Sequence, residues 1–337
     1  MKNVLKRALT AFLALAMLAS FAASLAACTN KSPTVMKIGG YKVSYDLLKY
    51  FALNYRDEYE QLAPGKIYVD EEMQAKLVED TNYTLRTFAA YYELVDKYKL
   101  KLTDEQKKSI EDQIKSLRSC YASQDDFESD LQNNHANVAV IREIYTMQAY
   151  CDVLYGYLTD EYNGIFFHDD ATIMADVDAG NYYSDEYIVL HYESGNADDR
   201  RAIAEDIRER VANGENMEKV SEEYQKQVSG KYFDEESLQF LDELIYYKND
   251  VFAVNEMLDY FRDALTVLKV GEVSPVVDTT AGFLVVKRLE LDLDHNFYSI
   301  IASYLSRQFF DYVEQYGDGL ELSLVNKYND IVYWEME

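Results

Sequence analysis

Met257 and Phe261 stand four residues apart in a segment whose Met257, Phe261, Ala264, Leu265 and Leu268 recur at helical spacing. On one helix the two side chains share a face, so they can line an apolar pocket together, or serve as ordinary core packing. Gly271-Glu272-Val273-Ser274 and Pro275-Val276-Val277 follow, then a turn over 278–282 and the run Phe283-Leu284-Val285-Val286, which together read as a hairpin. His191 closes a strand-like run, Tyr187-Ile188-Val189-Leu190-His191. A lone strand histidine either serves a site or has its ring satisfied by a neighbouring hydroxyl or water. His135, His168, His191 and His295 are scattered, no His/Cys group has metal-ligand spacing, and no metal site is expected.

The elements that must position these residues are mostly helical. Residues 35–38 and 41–43 read as two short strands around Gly39-Gly40, after which Ser44 caps a helix to about 61. A long helix is expected over 70–98, with Leu77, Leu85, Phe88, Tyr92 and Leu94 on its apolar side. Thr103 with Gln106 three residues on is a capping box, Ser123 opens a short helix, and 138–158 is a further long one. The polar run 169–186 marks a domain boundary, and the first strand beyond it is expected at 187–192. Residues 198–213 form an amphipathic helix with Ile203, Ile207 and Val211 on one face, and 214–221 open the next. Residues 226–250 read as two short helical pieces around Phe240 and Leu244; 296–315 is a helix, and 330–334 a terminal strand.

The first residues bear on compartment. Lys2, Lys6 and Arg7 precede an apolar run over 8–27 that ends in Leu25-Ala26-Ala27-Cys28. That ending resembles the bacterial lipoprotein signal, which implies cleavage before Cys28, a lipid on Cys28, a tether over 28–34 and a mature chain held outside the cytoplasmic membrane by its anchor alone. A plain transmembrane anchor is the alternative, since the run nearly spans a bilayer.

Composition narrows the function classes. The chain holds 33 Lys and Arg against 60 Asp and Glu, a formal charge of −27, and the signal holds three of the cations and none of the anions. Such a polyanion repels nucleic acid and anionic head groups, so no nucleic-acid partner is expected; cations and basic unfolded chains are favoured. The 31 tyrosines suit surfaces that meet many partners, and equally stand in for Phe in cores. Cys120 and Cys151 both fall in predicted helices, where two buried free thiols are the plainer reading and a disulfide the other.

Taken together, Met257-Leu258-Asp259-Tyr260-Phe261, Gly271-Glu272-Val273-Ser274 and the Gly282-Phe283 strand resemble the C-terminal half of a parvulin-type peptidyl-prolyl isomerase domain. The opening at 35–44 looks like the chaperone domain of PrsA-like and SurA-like foldases. The resemblance implies an α+β chain: a mostly helical chaperone domain at 35–168, an inserted parvulin-like α/β domain at 185–292, and a segment at 293–337 that returns to the chaperone domain. It implies a proline pocket of Met257, Phe261 and Leu258, and a floor histidine at His191. The histidine that family pairs with it is replaced by Leu284, and the glycine-rich lip is missing. No cofactor is called for. The function implied is an extracytoplasmic foldase that holds unfolded exported polypeptides, with isomerase activity weak or lost. A competent isomerase is the alternative; a lipid-anchored solute-binding protein, with its many parallel strands, fits poorly.

Overall fold

The computed structural model describes residues 32–160, 164–166, 168–192, 197–228, 231–234, 239–279 and 282–336. The expected signal at 1–27 and lipidation at Cys28 lie outside the described residues. Two compact units form: one from residues up to Phe167 together with Ser306 onward, the other from His168–Leu305.

In the first unit the strands β1 (Thr34–Ile38) and β2 (Tyr41–Ser44) form an antiparallel hairpin whose turn uses Gly39 at φ +56°. Ser44 leaves the strand with its hydroxyl accepting the Leu47 N–H, which caps helix α1 (Tyr45–Leu62). Asp70 caps α2 (Glu71–Lys97) through the N–H groups of Glu72 and Met73. Thr103 and Gln106 form the expected capping box on α3 (Asp104–Arg118). α4 (Gln124–Asn133) and α5 (Val138–Leu158) complete the set. Their apolar faces share one core with Leu48, Phe51, Leu85, Phe88 and Ile144. Cys120 is exposed in the turn after α3 rather than buried in a helix, and Cys151 is half-buried on α5 with its thiol donating to the Tyr91 hydroxyl at 3.5 Å; both are free thiols.

The second unit opens with α6 (Asp170–Asp178) and the strand β3 (Tyr182–His191), which starts five residues before the expected position. α7 (Ala197–Ala212) and α8 (Met217–Gln225) follow. The stretch expected as two helical pieces is instead a hairpin, β4 (Lys231–Asp234) with β5 (Gln239–Asp242), and a ten-residue strand, β6 (Leu244–Ala253). Pairing decides this: β6 runs antiparallel along β3 from Tyr182↔Ala253 to Leu190↔Leu244, a long-range ladder that local propensity does not reveal. After α9 (Asp259–Leu265) come β7 (Val277–Asp278) and β8 (Gly282–Leu289), giving a sheet of order β6-β3-β8-β7. One sheet face packs Ile188, Leu190, Phe283 and Val285 on Ile207 and Val211 of α7 and Met217 and Val220 of α8. The other packs Leu284 and Val286, beside Tyr187 and Val189, on Met257, Phe261 and Leu265.

Helix α10 (Leu293–Asp318) leads out of the second unit's residues, with Ile300 buried there, into those of the first, where Phe309 and Val313 enter the core. The terminal strand expected at 330–334 is absent among the described residues. β9 (Leu322–Leu324) takes its place, pairing with β1 through Met36↔Leu324, and Tyr333–Glu335 is a single 3₁₀ turn. The Tyr333 ring is buried and its hydroxyl donates to Asn82 Oδ1 at 2.9 Å, a core contact with no strand pairing.

Candidate functional site

The central strand β3 carries the site because both of its faces are covered, and alternation along it sorts side chains between them. Tyr183, Tyr187 and Val189 belong to the face of Met257 and Phe261, whereas Ile188 and Leu190 belong to the opposite one. Asp185 and His191 stand at the same parity as Tyr187.

Met257 and Phe261, expected to line a proline pocket, come together, but not on a single helix face. Phe261 lies on α9, while Met257 precedes that helix in extended conformation, at φ −80° and ψ 141°, after a 3₁₀ turn over Val254–Glu256. The helix is seven residues long because Leu258, with no side-chain cap bond, marks its start. Met257 and Phe261 still meet in one cluster with Leu265, Leu284 and Val286. Both are buried, and Leu258 between them is 45% exposed.

His191 and Leu284 share a sheet face without standing opposite each other. Register sets Leu284 against Val189 and His191 against Gly282 at the strand end. A side chain at Gly282 would place its Cβ 2.3 Å from the Leu190 carbonyl oxygen and 2.9 Å from the His191 Cα, so glycine is required there by close approach of the strands. His191 is buried and its backbone N–H donates to the Glu243 carbonyl at 2.7 Å.

The side chain that meets Phe261 is Tyr187. Their rings pack edge-to-face at 4.9 Å, and Tyr247, opposite Tyr187 on β6, stacks on it at 5.0 Å. Phe252 adds a second edge contact to Phe261 at 5.8 Å. Burial, then the neighbouring Tyr247, Asp185 and Tyr260, push the Tyr187 phenol up to about 12, so it stays neutral and keeps its proton to donate. Tyr247 and Tyr260 are 42% and 40% exposed. With Leu258 they make an accessible rim beside a buried apolar floor.

The motif Gly271-Glu272-Val273-Ser274 holds this floor in place. Gly271, at φ +86°, donates its N–H to the Arg288 carbonyl, and the Arg288 N–H returns to the Glu272 carbonyl. Ser274 is fully buried. Its N–H donates to the Val286 carbonyl at 2.8 Å and its hydroxyl accepts the Val286 N–H at 3.0 Å, so one residue replaces both halves of a ladder pair. The arrangement places phenol donors around an apolar floor, and amide rotation requires no nucleophile.

Tyr187, Tyr247, Tyr260 and Asp185 were not singled out from sequence. Stepping by two back from His191 reaches Val189, Tyr187 and Asp185, and that period would have found two of them. Tyr247 depended on the β6 pairing.

No protein-family model matches the chain and no curated protein matches it. Among solved structures it is similar to PrsA from Bacillus subtilis at 17% identity and a TM-score of 0.31, over 80% of this chain and 89% of that one. It is similar to the foldase protein PrsA from Streptococcus pneumoniae at 11% identity and a TM-score of 0.37, over 93% and 97%. A SurA-like chaperone from Campylobacter jejuni is similar at 10% identity and a TM-score of 0.26, over 87% and 99%. What this α+β chain is similar to, then, are PrsA foldases and SurA-like chaperones of solved structure.

Proposed function

We propose that the chain is an extracytoplasmic foldase, tethered by a lipid on Cys28, that holds unfolded exported polypeptides and has little or no prolyl isomerase activity. The layout adopted is a helical chaperone domain over 35–168 completed by 293–337, with a parvulin-like domain over 185–292. The single observation that carries the reading is the surface at Tyr187 and Phe261: a buried apolar floor rimmed by half-exposed Tyr247, Tyr260 and Leu258. Tyrosine gives such a rim large apolar area with little entropy to lose and a hydroxyl for a client's backbone. The chain's negative charge favours basic stretches of clients and keeps the anchored protein soluble.

Rotation about an X–Pro bond has a barrier of about 18–20 kcal/mol, and lowering it takes a site that binds the twisted amide better than the planar forms. Tyr187 supplies one neutral donor near the Phe261 ring. Leu284 can neither donate nor accept, and His191 is set against Gly282 at the strand end, which supports ring binding without efficient rotation. A second reading, a competent isomerase with its own hydrogen-bonding set around Met257 and Phe261, is favoured by that same phenol. Assays of proline-limited refolding and of aggregation of a proline-poor unfolded protein separate the two: suppressed aggregation with unchanged refolding supports the first, faster refolding the second.

A further inference from the structure

Asp185 is fully buried on the sheet face that carries Tyr187 and Phe261, yet the surface proposed above has no use for it. Its Oδ1 accepts the Asn249 side-chain N–H at 3.0 Å, and its Oδ2 is buried with no hydrogen-bond partner among the described residues. The titratable groups beside it are Tyr183 and Tyr187 on its own strand and Arg288 on β8, while Tyr247 on β6 and Tyr260 on α9 act on Tyr187. Arg288 is the cation of that set and is directly opposite Asp185 across the β3–β8 ladder. Directly opposed residues lie about 4.5–5.5 Å apart, well within reach of an arginine.

The Arg288 guanidinium is nevertheless engaged elsewhere. It lies 4.5 Å over the Tyr183 ring and donates to the Leu268 carbonyl at 2.7 Å. Leu268 sits in the turn after α9, the helix that bears Phe261. On the opposite sheet face the comparable pair is closed, with Lys287 on Glu186 at 2.7 Å. The charges of α9 are likewise engaged, since Arg262 bonds Asp259 at 2.7 Å.

We propose that Asp185 and Arg288 form a proton-operated catch beneath the peptide surface, in which ionisation of Asp185 draws the Arg288 side chain off Leu268 and Tyr183 and loosens the helix that presents Phe261. A neutral carboxyl costs far less in this dry site than a carboxylate, whose buried charge there needs a cation. Burial pushes the carboxyl up to about 7, so the exchange falls near neutral pH. Closed, the catch ties the turn after α9 to β8; open, that turn loses the Arg288 bond to Leu268. The inference rests on the peptide-binding reading for its consequence, and on Asp185 and Arg288 alone for its mechanism.

The test follows both in the full chain. The Arg288 Nε–Hε NMR resonance, assigned by its loss in Arg288→Lys, is titrated from about pH 5.5 to about pH 8.5. Affinity for the peptide Ala-Ala-Pro-Phe is measured across the same range. The expected result is one step in the Arg288 resonance near neutrality, absent in Asp185→Asn, with affinity falling about tenfold upward through the step in the native chain and flat in the variant. A resonance that does not move, or moves equally in Asp185→Asn, overturns the catch. A moving resonance with pH-independent peptide affinity overturns the coupling. If the peptide binds at no pH while the resonance steps as expected, the catch is upheld and the peptide-surface reading is what fails.

Discussion

Tyr187 meets Phe261 edge-to-face, with ring centroids 4.9 Å apart and planes at 77°. The contact joins the central strand of the sheet to the helix that follows β6, and it puts a neutral phenol beside the apolar floor. Edge-to-face pairs of this kind contribute about 0.5–1.5 kcal/mol beyond the area they bury.

Phe261→Ala therefore removes both floor and contact. Phe261 is 6% exposed, so truncation should cost the second unit about 3–5 kcal/mol. Because that loss alone could abolish binding, Tyr247→Ala is the cleaner variant: Tyr247 is 42% exposed, its loss should leave the melting temperature nearly unchanged, and affinity for unfolded clients should fall. Calorimetry beside a client-binding titration checks both.

Ser274→Ala leaves the buried Val286 N–H without its acceptor. An orphaned buried donor costs about 1–3 kcal/mol, so urea unfolding should shift to a lower midpoint with an unchanged slope. Ser274→Thr keeps the hydroxyl but adds a methyl to a site with no exposure, and should recover only part of the loss.

Gly282→Ala should be among the most damaging single changes in the second unit. The added Cβ would sit 2.3 Å from a backbone oxygen that the β3–β8 ladder fixes, and no flexible side chain is there to give way. A loss of about 2–4 kcal/mol is expected, read as a lowered unfolding midpoint.

Asp185 gives the stability a pH dependence of unusual sign for a carboxylate. Its folded-state value, about 7, lies above the roughly 3.9 of an unfolded chain, so the folded state binds more protons between the two. Stability from this group is complete below about pH 4, declines as pH rises, and is lost above about 7. Asp185→Asn keeps an acceptor for Asn249 and should raise the melting temperature at pH 8 while changing it little at pH 5.

Much of the frame was legible in the sequence because its signals are local. Ser44, Thr103 with Gln106, and Ser123 mark helix starts by side-chain hydrogen bonds that span three residues, and all three are caps. What failed depended on distant partners. The 226–250 stretch became strands because β6 pairs along β3, and 330–334 did not become a strand because β1 is already paired by Leu322–Leu324. The site divides the same way. Met257 and Phe261 were found by spacing, though Met257 stands before the helix. Tyr187 was passed over because a histidine four residues away looked more capable of chemistry, and only the register shows that His191 faces Gly282 while Tyr187 reaches Phe261.

Whether this surface holds unfolded chains without accelerating proline rotation is read by proline-limited refolding of an unfolded client with the full chain, monitored for both rate and aggregation. Suppressed aggregation, an unchanged rate and no effect of His191→Ala on either are expected. A strong acceleration that His191→Ala abolishes would contradict that expectation.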